Sequence, residues 1–312
     1  MNRRQLIMRS AALGFAPLVE AAPPAVLAAP ATSSESKTAD GGATASPLPA
    51  PASGSIPVAF LMSDGAVVID FSGPWEVFES VRVIGRRDPA FTVYTVAQST
   101  APVTASGGLK IIPSFTFKTA PAPKVVVIPA QDGAGEAALD WIRQVTHATD
   151  VTMSVCTGAV VLAQTGLLKG KSATTHHSAY AEFAMQFPDV QLVRGARFVE
   201  TGNLASSGGL SSGIDLSLRV VERYFGREVA TQTAYYMEYQ GQGWMDPGSN
   251  QVYRVRQAGT AAHPRCAVCD MEVDPATAPR SVYRGKTYYF CMPGHKALFD
   301  KTPDSFLDSS AS

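Results

Sequence analysis

Short apolar, β-branched runs recur through the middle of the chain: IPVAFLM (56–62), FTVYTVA (91–97), KVVVIPA (124–130) and DVTMSVC (150–156). Such continuous apolarity predicts strands buried on both faces of a parallel sheet. Between and after them stand segments of helical periodicity, GPWEVFESVRVIG, GEAALDWIRQVTHA, TGAVVLAQTGLL and GIDLSLRVVERYFG. The alternation predicts an α/β, doubly wound sandwich over residues 56–245, with ligands gathering at the carboxyl ends of the strands.

Outside that region the pattern changes twice. Residues 1–28 carry adjacent Arg3 and Arg4, an Ala-rich apolar stretch and the small-residue ending Val26-Leu27-Ala28. This resembles a twin-arginine export signal and implies a periplasmic protein. Arg9 and Glu20 interrupt the apolar stretch, which makes it a poor permanent membrane anchor. Residues 29–55 are rich in Ala, Ser, Pro and Gly and predict a flexible, disordered tether. The chain of 312 residues balances 26 Lys and Arg against 26 Asp and Glu. With no global field to attract nucleic acid or an acidic membrane, small neutral partners are favoured.

Cys156 closes the fourth apolar run, and Thr157-Gly158-Ala159 opens the next helical segment. A cysteine there has two readings. It is a small buried hydrophobe, or it is a nucleophile at a strand-to-helix turn whose free N–H groups lower its pKa. Asp70, before Ser72-Gly73-Pro74, reads from the residues alone as a helix N-cap or turn residue. Asp215 reads as a cap too, and SSGGLSSG (206–213) as a strand-to-helix turn near the pocket. His176 and His177 read as structural or interface residues, since no spacing rule joins them to Cys156.

Three blocks add a resemblance: VVIDFSGPWEVFES (67–80), SVCTGAVVLAQTGLLKGKSATTHHSAY (154–180) and NLASSGGLSSGIDLSLRVVERYFG (203–226). Together they are similar to the ThiJ/PfpI superfamily, and within it to the isonitrile hydratase branch and the ligand-sensing domains of certain AraC-type regulators. The resemblance implies a flavodoxin-like sandwich, a homodimer, and a catalytic set of Cys156, Asp70 and Thr157. Cys156 would attack the isonitrile carbon, Asp70 would exchange protons with the thiol, and Thr157 would orient the intermediate, with no cofactor for this domain. The chain departs from the pattern at Pro129-Ala130-Gln131, where relatives carry Pro-Gly-Gly, and at His177, where they carry tryptophan.

After an expected linker at 246–263, residues 264–308 hold Cys266-x-x-Cys269 and, after a 21-residue spacer, Cys291-x-x-x-His295. Two pairs of soft or borderline ligands separated by a hairpin-length segment with Gly285 at its turn suit one tetrahedral metal site. A core this small gains folding energy from a metal. The alternatives are a disulfide in an oxidising compartment and a redox-active pair. The segment resembles a YHS domain, a small metal-binding module, although Asp270 replaces the usual glycine and His295 a frequent cysteine. Zinc or copper is implied, and histidine tilts the choice toward zinc.

Two functions follow as expectations. One is an exported, cysteine-dependent lyase of the isonitrile hydratase type with an appended metal module. The other is a periplasmic metal-handling or oxidative-stress-sensing protein whose sandwich serves as a binding scaffold. A transcription regulator fits less well, because no helix-turn-helix pattern follows the sandwich.

Overall fold

The computed structural model describes residues 46–132, 134–255 and 259–307. The expected export signal at 1–28 lies outside the described residues, as does most of the expected tether.

In chain order the central region runs β1 (Ile56–Leu61), α1 (Val68–Ser80), β2 (Phe91–Ala97), β3 (Val103–Thr104), β4 (Lys110–Ile111), β5 (Phe115–Thr116) and β6 (Val125–Ile128). It continues with α2 (Glu136–Thr146), β7 (Val151–Val155), α3 (Gly158–Gln164), β8 (Ser172–Ala173), α4 (Tyr180–Gln186) and β9 (Gln191–Leu192). Then come β10 (Phe198–Thr201), β11 (Leu204–Ser207), α5 (Ser212–Phe225) and α6 (Arg227–Tyr236). Seven strands form one sheet in the order β10-β11-β7-β6-β1-β2-β5. Every pairing in it is parallel except that of β10 with β11.

Strand alternation sorts the core into two layers. Val58, Phe60, Val125, Val127 and Met153 face α1 and α5, burying Phe71, Phe78, Leu216 and Val220. Ala59, Leu61, Val126 and Ile128 face α2 and α3, burying Leu139, Ile142, Val161 and Leu162. This is the doubly wound sandwich expected from the sequence, because strands buried on both faces need no polar alternation. The strand order reverses between β1 and β6, and the chain segments leaving β1, β6 and β7 emerge together at their carboxyl ends, the place where such sheets bind ligands.

Three boundaries differ from the sequence reading. Helix α1 begins at Val68 and contains Pro74, so Asp70 lies in its first turn and forms no cap hydrogen bond. The described end of the expected tether is not free: Leu48 N–H donates to the Arg223 carbonyl at 2.7 Å, and Arg223 Nε donates to the Ser46 carbonyl at 3.1 Å. The start of the expected linker at 246–263 is tied down as well, with Asn250 buried and Arg197 N–H donating to the Pro247 carbonyl at 2.7 Å. Local composition marked both segments as loops, and backbone bonds to distant residues anchor them.

The C-terminal region has β12 (Arg280–Tyr283), β13 (Lys286–Tyr289) and α7 (Pro293–Lys301). Arg284 and Gly285 both have positive φ, 49° and 76°, as the two-residue turn of a hairpin requires. Its core is an aromatic cluster of Phe290, Phe299 and Phe306 with Val268 and Cys266.

The passage from β7 into α3 is the tightest point. A Cβ added to Gly158 would lie 2.2 Å from the Ile128 carbonyl oxygen and 2.8 Å from the Pro129 carbonyl carbon. Both neighbours are backbone and cannot step aside. Gly158→Ala is therefore expected to cost about 2 kcal/mol or more, read as a lower denaturation midpoint, and an unchanged midpoint would contradict this packing.

Candidate active site and metal centre

Cys156 stands directly after β7 at φ 58°. A left-handed conformation at a residue with a side chain is uncommon and has to be held by its surroundings. Its N–H donates to the Gly208 carbonyl at 3.0 Å, and its carbonyl accepts from the Thr175 hydroxyl at 3.0 Å. The turn leaves Cys156 7 % exposed. Its sulfur receives the N–H groups of Leu210 and Thr157 and the Thr157 hydroxyl.

Asp70 is fully buried in the first turn of α1. Its Oδ2 accepts the Ala130 N–H at 3.1 Å, and the carboxyl is in reach of the Cys156 thiol. Oδ1 is buried without a partner that meets hydrogen-bond geometry, which leaves it an oxygen able to take a proton. The structure thus brings Cys156 and Thr157, neighbours on the β7–α3 elbow, together with Asp70 from α1.

The electrostatics differ from the expected lowering of the thiol. Burial, and then the Asp70 charge, push Cys156 up to about 11 against the help of the surrounding donors. Burial also pushes Asp70 up to about 6, opposed by the Ala130 N–H and the Cys156 thiol. Between those two values the carboxyl is ionised and the sulfur holds the proton. Asp70 therefore enters any reaction first as a base and becomes an acid only afterwards.

Sequence reasoning missed part of this surround. Leu210, at φ 37°, presents the N–H that meets the sulfur, and only the run of small residues before it hinted at an unusual turn. His176 braces that turn: a Cβ on Gly209 would lie 2.2 Å from the His176 Cδ2. Its Nδ1 accepts the Ser178 N–H at 3.2 Å, and burial followed by the His177 charge pushes it down to about 4, so it is neutral at physiological pH. Asp215 is no cap: its carboxylate is buried against Arg197, whose Nε donates to it at 2.6 Å. A cavity of about 270 Å³ opens beside the elbow, lined by Gln131, Thr157, Val160, Glu182 and Phe183.

In the C-terminal region Cys266 and Cys269 sit on a turn closed by Asp270 N–H donating to the Cys266 carbonyl at 3.0 Å and Cys266 N–H donating to the Met271 carbonyl at 2.8 Å. Asp270 adopts φ 62°, a conformation that glycine takes freely and aspartate tolerates. Cys291 stands just before Met292, the N-cap of α7, and His295 lies in the helix's first turn. The ligand atoms of Cys266, Cys269, Cys291 and His295 all lie within 4.8 Å of one another. Cys266 Sγ is 3.5 Å and Cys291 Sγ 3.2 Å from His295 Nδ1, and Cys269 Sγ is 3.6 Å from Cys291 Sγ. A tetrahedral site with bonds of about 2.3 Å has edges of roughly 3.8 Å, so the donor set fits a metal ion. The Cys269 thiol, together with backbone N–H groups of Val268, Cys269 and Cys291, lowers Cys266 below the usual thiol range against the opposing effect of burial, while that same pairing raises Cys269. No disulfide joins the four cysteines among the described residues, and the thiolate is the form in which cysteine binds a cation.

The elbow electrostatics yield a prediction. Replacing Asp70 by Asn removes the negative charge that raises the thiol, so the pH profile of Cys156 alkylation should move to lower pH. Each unit of that shift raises the thiolate fraction at pH 8 about tenfold. Asp70 itself binds its proton more tightly when folded, from 3.8 to about 6, so stability falls as pH rises through that window, by about 3 kcal/mol in all. Asp70→Asn should abolish that fall. An unmoved alkylation profile together with an unchanged pH dependence of unfolding would contradict the pairing.

Comparison with known proteins agrees with this geometry. The DJ-1/PfpI family profile matches residues 57–223. Isonitrile hydratase of Pseudomonas putida is 32% identical over 200 residues, spanning 62% of this chain and 83% of that protein. The transcriptional regulator CdhR of Pseudomonas aeruginosa is 25% identical over 180 residues, 56% of this chain and 52% of the regulator. Among solved structures, a ThiJ/PfpI family protein from Pseudomonas syringae superposes with a TM-score of 0.54 at 29% identity, covering 61% of this chain and 77% of its own. Drosophila melanogaster DJ-1beta superposes at 0.51 with 21% identity, covering 60% and 100%, and so speaks to the fold alone. The family match ends before the Cys and His cluster. With the profile spanning more than half its length and the elbow cysteine in place, the chain belongs to the DJ-1/PfpI family.

Proposed function

We propose that the protein adds water to an isonitrile, R–N≡C, to give an N-substituted formamide. The observation that carries this reading is the Cys156 thiol on a left-handed elbow beside the buried Asp70 carboxyl, in a chain 32% identical to an isonitrile hydratase. The steps follow from where the proton sits. Asp70 takes the thiol proton as sulfur bonds to the terminal carbon, then delivers it to that carbon, leaving R–N=CH–S–Cys156. Water adds to the carbon, its proton passing through Asp70 to nitrogen. Collapse of R–NH–CH(OH)–S–Cys156 expels sulfur, which recovers its proton through Asp70 and releases R–NH–CHO. The hydroxyl and N–H of Thr157 hold the sulfur in place while charge develops on it. The cavity of about 270 Å³ next to Thr157 suits a small R group.

For the C-terminal module we propose a YHS-like site in which Cys266, Cys269, Cys291 and His295 hold zinc in preference to copper. Three thiols and one imidazole in a closed tetrahedral set support that choice. We propose further that residues 1–28 are a twin-arginine leader and that the mature protein works in the periplasm as a homodimer. The supports are the Arg3-Arg4 pair with its Val26-Leu27-Ala28 ending and, for the dimer, the resemblance alone.

One observation favours a second reading, a metal-handling or oxidation-sensing scaffold: the resting thiol is pushed up to about 11 and is not activated. Turnover of a simple aryl isonitrile separates the two. The hydratase reading expects turnover that Cys156→Ala abolishes, by about a thousandfold or more, and that Cys266→Ala/Cys269→Ala spares at least in part. Absence of turnover from a fully metal-loaded, folded protein would sink it. Metal analysis of anaerobically purified protein should find one zinc per chain, lost in the double cysteine variant. Copper in its place, or no metal at all, would contradict the assignment.

A further inference from the structure

The metal cluster and the nucleophile elbow are joined by a continuous set of contacts. Helix α4 lays Ala181 and Met185 against the apolar cluster of Cys266, Val268, Phe290, Phe299 and Phe306. Thr302 Oγ1 reaches the Met185 sulfur at 3.8 Å. Just before α4, His177 shares a crevice of only about 20 Å³ with Tyr180, Tyr253, Val268 and Asp270. Val268 and Asp270 belong to the turn that carries Cys266 and Cys269, so this crevice is the seam between turn and sandwich.

From the seam to the sulfur the path is short. The His177 ring stacks on Tyr253 at 5.0 Å and lies 4.3 Å from the His176 ring. His176 packs against Gly209 too closely to admit even a methyl group. Gly209 precedes Leu210, whose N–H meets the Cys156 sulfur. On the same segment Thr175 donates to the Cys156 carbonyl at 3.0 Å. Residues 175–181 therefore touch the elbow at one end and the metal turn at the other.

We propose that the Cys and His module is a metal-dependent brace for the elbow, pressing Val268 and Asp270 against residues 177–181 and so holding the Gly208–Leu210 turn over Cys156. The physical ground is size. The module's own core is five buried side chains, too few to hold a fold of this length without a further source of stability. A bound metal supplies that stability, and whatever the module presses against inherits it. The segment 175–181 is then the element both sites bias, which is what coupling between them requires. This inference rests on the metal reading of the cluster and is independent of the hydratase reading.

Hydrogen exchange on the full chain, zinc-loaded and chelator-treated, tests it. The brace predicts that removing zinc speeds exchange about tenfold or more at residues 174–181 and 208–210 as well as within 264–307, with β1 and β2 unchanged. Acceleration confined to 264–307 would overturn it. Ala181→Arg forces a charge into the seam while leaving every metal donor in place. With zinc content intact by native mass spectrometry, it should reproduce the faster exchange at 208–210. It should also move the Cys156 alkylation profile to higher pH as the Leu210 N–H loosens. Unchanged exchange and an unchanged profile would overturn the proposal, whether or not the protein turns over isonitriles or retains zinc. Should Ala181→Arg fail to fold, His177→Ala decides by the same two readouts.

Discussion

A single backbone conformation organises the sandwich's chemistry: Cys156 in the left-handed region, at φ 58°, between a parallel strand and a helix. That conformation costs on the order of 1–2 kcal/mol for a residue with a side chain and persists because its neighbours leave no alternative. Gly208 and Thr175 bind its two peptide groups at 3.0 Å each. The next residue but one, Gly158, rests on the carbonyl of Ile128. Turning the chain in so little space takes the cysteine out of the strand's alternation and brings its sulfur to Asp70, which arrives on a different segment.

The consequence is electrostatic, and magnitudes decide it. A helix terminus favours a nearby anion by about 0.3–1 kcal/mol, less than one pKa unit. Burial next to a carboxylate moves Cys156 from 9.0 to about 11, about 3 kcal/mol by the same conversion. The site therefore keeps its proton on sulfur and its charge on Asp70. Such a pair reacts slowly with ordinary electrophiles at neutral pH, and faster when the incoming carbon draws the sulfur's electrons and lets the proton move to Asp70. A bound substrate that excludes water strengthens every term in that exchange.

What could be read from the sequence was what is local. The four apolar runs became strands β1, β2, β6 and β7 within a residue or two of their ends, since burial on both faces leaves an uninterrupted signature. The metal donors were legible because their chemistry depends on spacing, and the hairpin between them turns where Gly285 stands. The start of α1 was not: Asp70-Phe71-Ser72-Gly73-Pro74 has the chemistry of a turn, and tertiary packing overrides it, burying Phe71 and Pro74. Asp215 went unread for a related reason, because its partner Arg197 belongs to another segment. Leu210 carries no polar side chain at all and acts through its N–H, which no residue pattern reports.

The central claim is that at neutral pH the thiol proton is on Cys156, with Asp70 ionised beside it. Infrared difference titration of the full chain against Cys156→Ala reads both groups at once, the S–H stretch and the carboxyl C=O stretch. The account predicts an S–H band that persists well above pH 8, consistent with a thiol pushed up to about 11. It also predicts an Asp70 carboxyl band that vanishes as pH rises through about 6. A thiolate already formed at pH 7, or an Asp70 still protonated at pH 8, would contradict it.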